Sequence, residues 1–384
     1  LIYTYIHIYT IGHINRPTYP YFIEQCIQSN IALVCLDFHG HGYSDGAMAY
    51  VEDEDHLLDD VTSLLRMIYN DELDTHECDF NEHISGHYKH KSKQDTNTNN
   101  TSTNTNNTST NTNNNTNKTY DHFNLSKNQV PFFIMGQSMG GAVAIRLGLY
   151  YDELKKNGNG NSNSNGNGGS SGTSEVEVSC MGNNTTTNNS NSNTSWWSDT
   201  CNYQQSSDST FASCFQGLIL LAPAISNKLP PPVVRLAFEN ILVPLFPSVS
   251  IPQYLAGALA DNSTIWNSEK FVEYITKKDK HHKDTNPHGL GFGDTIRFKT
   301  AYTIVKMMEK VQTDISKINF PFIIFHDPED LVVLYKGSIK LMNESNTTID
   351  KKHLYALTNA KHDLFSNRLS VIVKLTLEWI KKMK

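Results

Sequence analysis

Apolar positions along this chain fall into short continuous runs separated by stretches of helical spacing. Ile31-Ala32-Leu33-Val34-Cys35-Leu36 is apolar throughout, the pattern of a strand buried on both faces. The run ending at Met135, Phe215–Leu221 and Pro321–Phe325 read the same way, and Leu354–Leu357 reads as a short last strand. Leu1–Ile11, rich in Ile, Tyr and Thr, has strand composition. Between these runs, Tyr19–Ser29, Asp53–Tyr69, the stretch from Met139 to about Lys155, Asp294–Ile318 and Arg368–Lys384 carry helical spacing. Strands alternating with helices predict an α/β fold, a mostly parallel sheet covered on both faces. Chemistry in such a sheet belongs at the C-terminal ends of the strands.

Two tracts break the alternation. From about 70 to 128, and again from about 157 to 213, the sequence collapses into Asn, Thr, Ser, Gly, His and Lys. Such tracts cannot bury enough apolar surface to offset their ordering entropy, so both read as disordered low-complexity insertions in loops. They also explain why hydrophobic content is only 38% and mean hydropathy −0.45: the deficit is local. Leu229–Pro252 departs in the opposite direction. After Pro230-Pro231-Pro232 it is apolar on nearly every side, broken only by Arg235, Glu239 and Asn240. It is either buried on several faces or offers an apolar surface to a ligand or membrane.

Charge and cysteine usage narrow the function classes. A net charge of −7 without a basic stripe argues against a nucleic-acid partner. The six cysteines have no CxxC or zinc-ligand spacing, and Cys35 sits in an apolar run, which points to free thiols and a reducing compartment. His76, Cys78, His83, His87 and His90 lie in low-complexity sequence and read as a solvated polar tract. No apolar run reaches the roughly 20 residues of a membrane span. The chain starts at Leu1, already inside a strand-like segment and without an initiator methionine, and so reads as a fragment or a trimmed gene model.

The candidate chemistry centres on Gly136-Gln137-Ser138-Met139-Gly140. A buried strand precedes it and a small-residue helix start follows, so Ser138 sits at the apex of a strand–turn–helix. A serine hydroxyl needs a base to take its proton, and the base needs an orienting carboxylate. Downstream, His326-Asp327-Pro328-Glu329-Asp330 follows one strand, and Thr358-Asn359-Ala360-Lys361-His362 follows the last. His362 is selected as the base by that position. Spacing alone leaves Asp327 and Asp330 nearly even as the acid.

Four blocks resemble α/β hydrolases of the monoacylglycerol lipase and lysophospholipase type, grouped with the serine aminopeptidases. Asp37-Phe38-His39-Gly40-His41-Gly42-Tyr43-Ser44 is similar to the family's Asp-x-x-Gly-His-Gly-x-Ser turn, read here as structural. Gly136-Gln137-Ser138-Met139-Gly140-Gly141 is similar to its Gly-His-Ser-Met-Gly-Gly elbow, with glutamine for histidine. His326–Val332 resembles its Gly-x-x-Asp-x-x-Val loop, which puts the acid on Asp330, and Ala360–Leu364 resembles its histidine loop.

The resemblance implies an α/β-hydrolase core at 1–222 and 290–384, with a helical cap at 223–289 that lines an acyl tunnel and touches membrane. It implies a Ser138–His362–Asp330 triad, with oxyanion donors at Met139 and, counting back without gaps from Asp37, at Gly12. The family's His-Gly before that donor falls on Thr10-Ile11, a departure that bears on the second donor. No cofactor or metal is implied. The expected activity is hydrolysis of a glycerolipid monoester by a cytoplasmic enzyme, with peripheral membrane contact through the cap. The alternatives are a short-chain ester or thioester hydrolase, a peptidase of the same fold, or a catalytically weakened lipid-binding relative.

Overall fold

The computed structural model describes residues 3–8, 19–41, 44–47, 49–69, 130–160, 208, 211–228, 231–252, 261–273 and 296–383. Six strands form one sheet in the order β2-β1-β3-β4-β5-β6: β1 (Tyr3–Ile8), β2 (Ile31–Leu36), β3 (Phe132–Gln137), β4 (Phe215–Leu221), β5 (Phe322–His326) and β6 (Lys352–Ala356). Every neighbouring pair is parallel. The predicted α/β class and its near-uniform apolar strands are therefore found as expected. The chain passes from β1 outward to β2, then returns to the other side of β1 with β3. That reversal opens a crevice at the strand ends where a doubly wound sheet binds its ligands.

Alternate residues of each central strand feed opposite faces of the sheet. Ile134, Leu218, Leu220, Phe322 and Ile324 pack into one core with α2 (Glu54–Tyr69), α3 (Met139–Gly160) and the later helix α7 (Phe298–Asp314). Phe133, Met135, Ile219, Leu221, Ile323 and Phe325 pack into the other with α1 (Tyr19–Gln28) and α9 (Leu364–Lys382). Between β4 and α7 lie α4 (Pro232–Ala237), a π-helical turn at Phe238–Leu242, the short α5 (Val243–Leu245) and α6 (Asn262–Ile265). The helix α8 (Tyr335–Glu344) falls between β5 and β6 and was not anticipated from periodicity.

The first low-complexity tract, including the His76–His90 cluster, lies outside the described residues, as does most of the second. The second is bounded differently from expectation. α3 runs on to Gly160, and the far end of the tract is anchored in the core from Asp208 onward. Asp208 is fully buried, and Arg66 of α2 grips it with two hydrogen bonds of 2.6 and 2.7 Å while the Tyr150 hydroxyl donates at 2.6 Å. Phe211 stacks on Tyr69 at 5.3 Å between ring centres. One buried carboxylate and one aromatic ring hold the end of a tract whose composition reads as polar throughout.

A second buried charge sits on α3. Arg146 is 2% exposed, donates to Asp314 of α7 at 2.6 Å, and lies 3.7 Å from Glu54 of α2, which Lys310 meets at 2.6 Å. The network pins the helix that carries the serine turn against its two neighbours. Removing one partner of a buried pair strands the other in a low dielectric, so Arg146→Ala is expected to lower stability by about 3 kcal/mol, read from the urea midpoint. Asp314 and Glu54 retain Lys317 and Lys310, which keeps the loss at the low end of the range.

Candidate active site

β3 is buried from end to end, and the turn after it is unusually tight. A Cβ on Gly136 would lie 2.1 Å from the carbonyl oxygen of Gly140, and one on Gly141 would lie 2.8 Å from Cα of Pro223. Only glycine fits either place, so packing requires Gly136, the first glycine of the Gly-x-Ser-x-Gly frame, and Gly141, the residue just beyond it. Ser138 takes φ 54, a left-handed conformation that a side chain rarely adopts. The end of β4 holds it there. Its N–H donates to Leu221 O at 2.9 Å, and its carbonyl accepts from Ala224 N–H at 2.9 Å. The hydroxyl is left projecting at the C-terminal rim of the sheet.

Three sequence-predicted residues meet at that rim. His362 Nε2 lies 2.9 Å from Ser138 Oγ, and His362 Nδ1 lies 2.8 Å from Asp330 Oδ2. A carboxylate only accepts, so Nδ1 carries the proton and Nε2 is left to accept the serine hydroxyl. Asp330 is fixed by its own loop, where the N–H groups of Val332 and Val333 donate to Oδ1 at 2.7 and 3.1 Å. Burial alone would raise this carboxyl, but the neighbouring His362, the hydrogen bonds from His362 and Val333, and the nearby His326 ring, with Nε2 3.5 Å from Oδ2, outweigh it and hold it well below the usual carboxylate range. Such a chain can take the serine proton onto an oriented imidazole and stabilise the charge that forms.

The competing Asp327 points elsewhere. Its Oδ1 accepts from Glu329 N–H at 2.9 Å, and its Oδ2 accepts from the N–H groups of Ala360 and Lys361 at 2.6 and 2.7 Å. The geometry thus separates two carboxylates that spacing left even. Beneath Asp330, His326 is fully buried; its Nε2 donates to Val333 O at 3.1 Å, which leaves Nδ1 to accept from Ser338 Oγ at 2.7 Å.

Met139 opens α3, where a backbone N–H has no acceptor inside the helix, and so stands beside Ser138 as the resemblance requires. Gly12 lies outside the described residues. The last residue of β1, Ile8, is registered opposite Gly136 of β3.

Sequence reasoning missed how the histidine loop is held. Asp363 caps α9, accepting from Ser366 N–H at 3.0 Å and Ser366 Oγ at 2.9 Å, and its carboxylate also accepts from Trp266 Nε1 at 2.7 Å and Gln137 Nε2 at 3.3 Å. Gln137 therefore links the serine turn to the histidine loop in the place where the resembled elbow has histidine. The Asp363-x-x-Ser366 pattern is a readable helix cap. The predicted start at Arg368 instead marks a kink, where φ −138 and ψ 28 interrupt α9. The segment around α6 is stitched to the same loop: Asp363 N–H donates to Ile265 O at 3.1 Å, and Lys361 Nζ to Trp266 O at 2.9 Å. The glycine-punctuated turn after β2 closes on itself, with Gly40 N–H donating to Asp45 O at 2.7 Å and Ser44 Oγ to Asp37 O at 2.5 Å. Among the described residues no cluster of His, Cys, Asp and Glu is arranged to hold a metal, and no helix is long and apolar enough to cross a membrane.

Comparison with known proteins gives the same fold. The family model described as serine aminopeptidase, S33, matches residues 208–368, a span that holds Asp330 and His362. Among solved structures, a monoacylglycerol lipase from Paleococcus ferrophilus is similar at TM-score 0.55 and 13% identity, covering 100% of this chain and 95% of the other. A soluble variant of the Saccharomyces cerevisiae monoglyceride lipase is similar at TM-score 0.52 and 13% identity, covering 100% of this chain and 87% of the other. A carboxyl esterase from Bacillus coagulans is similar at TM-score 0.51 and 12% identity, covering 100% and 90%. No curated protein matches by sequence. At these identities the structural likeness speaks for the fold alone. The chain thus has the α/β-hydrolase fold with a serine turn at the C-terminal rim, and its residues 208–368 are similar to the serine aminopeptidase S33 family.

Proposed function

We propose that this chain is a serine hydrolase that cleaves the carboxylic ester of a glycerolipid monoester, a monoacylglycerol or lysophospholipid, through an acyl-enzyme. The observation that carries the reading is the hydrogen-bonded chain Ser138–His362–Asp330 at 2.9 and 2.8 Å, with the serine held left-handed at the head of α3. Ser138 attacks the ester carbonyl as His362 takes its proton, and Asp330 orients and stabilises the imidazolium. The N–H of Met139, with that of Gly12, holds the oxyanion. His362 then returns the proton to the leaving alcohol, and water repeats the sequence on the acyl-enzyme.

A lipid substrate is supported by the segment after β4, which we assign to a cap at 223–289. Several of its apolar residues face outward: Val233, Leu236 and Leu245 are 78%, 61% and 65% exposed, while Val243, Ile265 and Trp266 pack inward. Its charges bind its neighbours instead. Arg235 pairs with Glu239 at 2.9 Å and with Glu309 of α7, and Lys306 reaches both acids at 3.4 and 3.3 Å. An exposed apolar row of this kind fits peripheral contact with a lipid surface.

The test is a series of monoacylglycerols and matched lysophospholipids from short to long acyl chains, with aminoacyl amides alongside. The reading expects kcat/KM to rise with chain length, since each buried methylene adds about 0.8 kcal/mol or roughly fourfold until the site is filled. A preference for short chains or for aminoacyl amides would move the substrate to the other chemistries of this fold. Lipid binding without turnover would make the chain a weakened relative.

A further inference from the structure

We infer that Asp327 is a positioning residue for His362, a carboxylate clamp that holds the base loop in catalytic register; the inference rests on the triad proposed above. The resembled acid loop begins with glycine where this chain has Asp327, so the family pattern supplies no such group. Here the side chain is 2% exposed and spans two loops. Its Oδ1 closes its own turn through Glu329 N–H, and its Oδ2 takes both Ala360 N–H and Lys361 N–H, at 2.6 and 2.7 Å. Two successive backbone N–H groups converging on one oxygen form an anion-binding concavity, and here the anion is part of the chain.

That concavity has conformational work to do. Asn359 and Lys361 both take left-handed backbone, at φ 54 and φ 53, although neither is glycine. Such residues persist only where their surroundings over-determine them. His362 is the next residue, and its Nδ1 must meet Asp330 on the same loop that carries Asp327. Asp327 therefore fixes the distance between the loop bearing the acid and the loop bearing the base. If the clamp is lost, the turn at 359–361 relaxes and the imidazole moves off the line from Asp330 to Ser138. A misplacement of about 1 Å costs on the order of 10²-fold in rate.

The experiment compares Asp327→Ala and Asp327→Asn with the unaltered chain on 4-nitrophenyl octanoate, with kcat and KM resolved and the folded fraction read by circular dichroism. Asparagine can still turn its amide oxygen to the Ala360 and Lys361 N–H pair, but it loses the charge and sets a donor against Glu329 N–H. We expect kcat to fall about 10²-fold in D327A, and by less in D327N, with KM unchanged in both. A residue with a merely structural role would lower the folded fraction and leave kcat per folded molecule intact. Wild-type kcat in either folded variant, or a loss confined to KM, would overturn the inference. Ser138→Ala in the same assay separates the two claims. If it stays active, the triad reading falls as well; if it is dead while D327A turns over normally, only the clamp falls.

Discussion

Ser138→Ala is expected to lower kcat for ester hydrolysis by about 10⁶-fold, the scale on which a triad loses its nucleophile. The expectation follows from how the hydroxyl is presented. A tight, glycine-walled turn holds Ser138 at φ 54, and the base stands 2.9 Å away. No other hydroxyl is placed against His362 Nε2 by the described hydrogen bonds. The loss should not be additive. His362→Ala should cost nearly as much, and the double variant little more than either, because the groups act as one unit. Stopped assays with a long-chain monoacylglycerol would read all three. Residual turnover in S138A is expected from the oxyanion donors and binding alone, about 10³–10⁴-fold over water.

Asp330→Asn is expected to lower kcat by about 10⁴-fold with the fold intact. The Val332 and Val333 N–H groups require an oxygen at the Oδ1 position, so the new amide nitrogen must face His362. Two donors then oppose each other unless the imidazole gives up its Nδ1 proton. The proton moves to Nε2, which can no longer accept from Ser138. The same substitution has a stability signature. The carboxyl of Asp330 is held below its ordinary value in the folded chain, so its contribution is complete above the unfolded range near pH 4. It is lost as pH falls through the folded value. D330N should therefore flatten the acid side of the stability profile, measured by urea midpoints from neutral pH downward. Asp327→Asn should keep the Asp330 part of that profile and show the smaller rate loss described above.

Phe215–Leu221 was legible because burial on both faces leaves little choice of residue; Ile31–Leu36 is also a strand as read, but it lies at the edge of the described sheet with only Ile31 buried, not buried on both faces. The proposed nucleophile Ser138 and base His362 were picked out by their places after β3 and β6, and the proposed acid Asp330 by the resemblance. The choice between Asp327 and Asp330 was not local information, since it depends on which carboxylate faces a loop about 30 residues further on. Periodicity also failed where polar chemistry does the holding. Asp208 and Phe211 close a tract of Asn, Ser and Thr, and nothing nearby signals that Arg66 and Tyr69 await them. The helix α9 was started late because the break at Arg368 restarts its apolar spacing. In Leu229–Pro252 the sequence offered two readings; among its described residues Val233, Leu236 and Leu245 face out, Val243 packs inward, and Arg235 pairs with Glu309 of α7.

The central claim is that Ser138 is a nucleophile activated by His362. Fluorophosphonate probes report this directly, because they bond only to a serine whose proton a base can take. The account expects one phosphonyl adduct per chain, located by peptide mass on Ser138 and abolished in both S138A and H362A. Absence of any adduct on the folded full-length protein, or an adduct that persists in S138A, would contradict it.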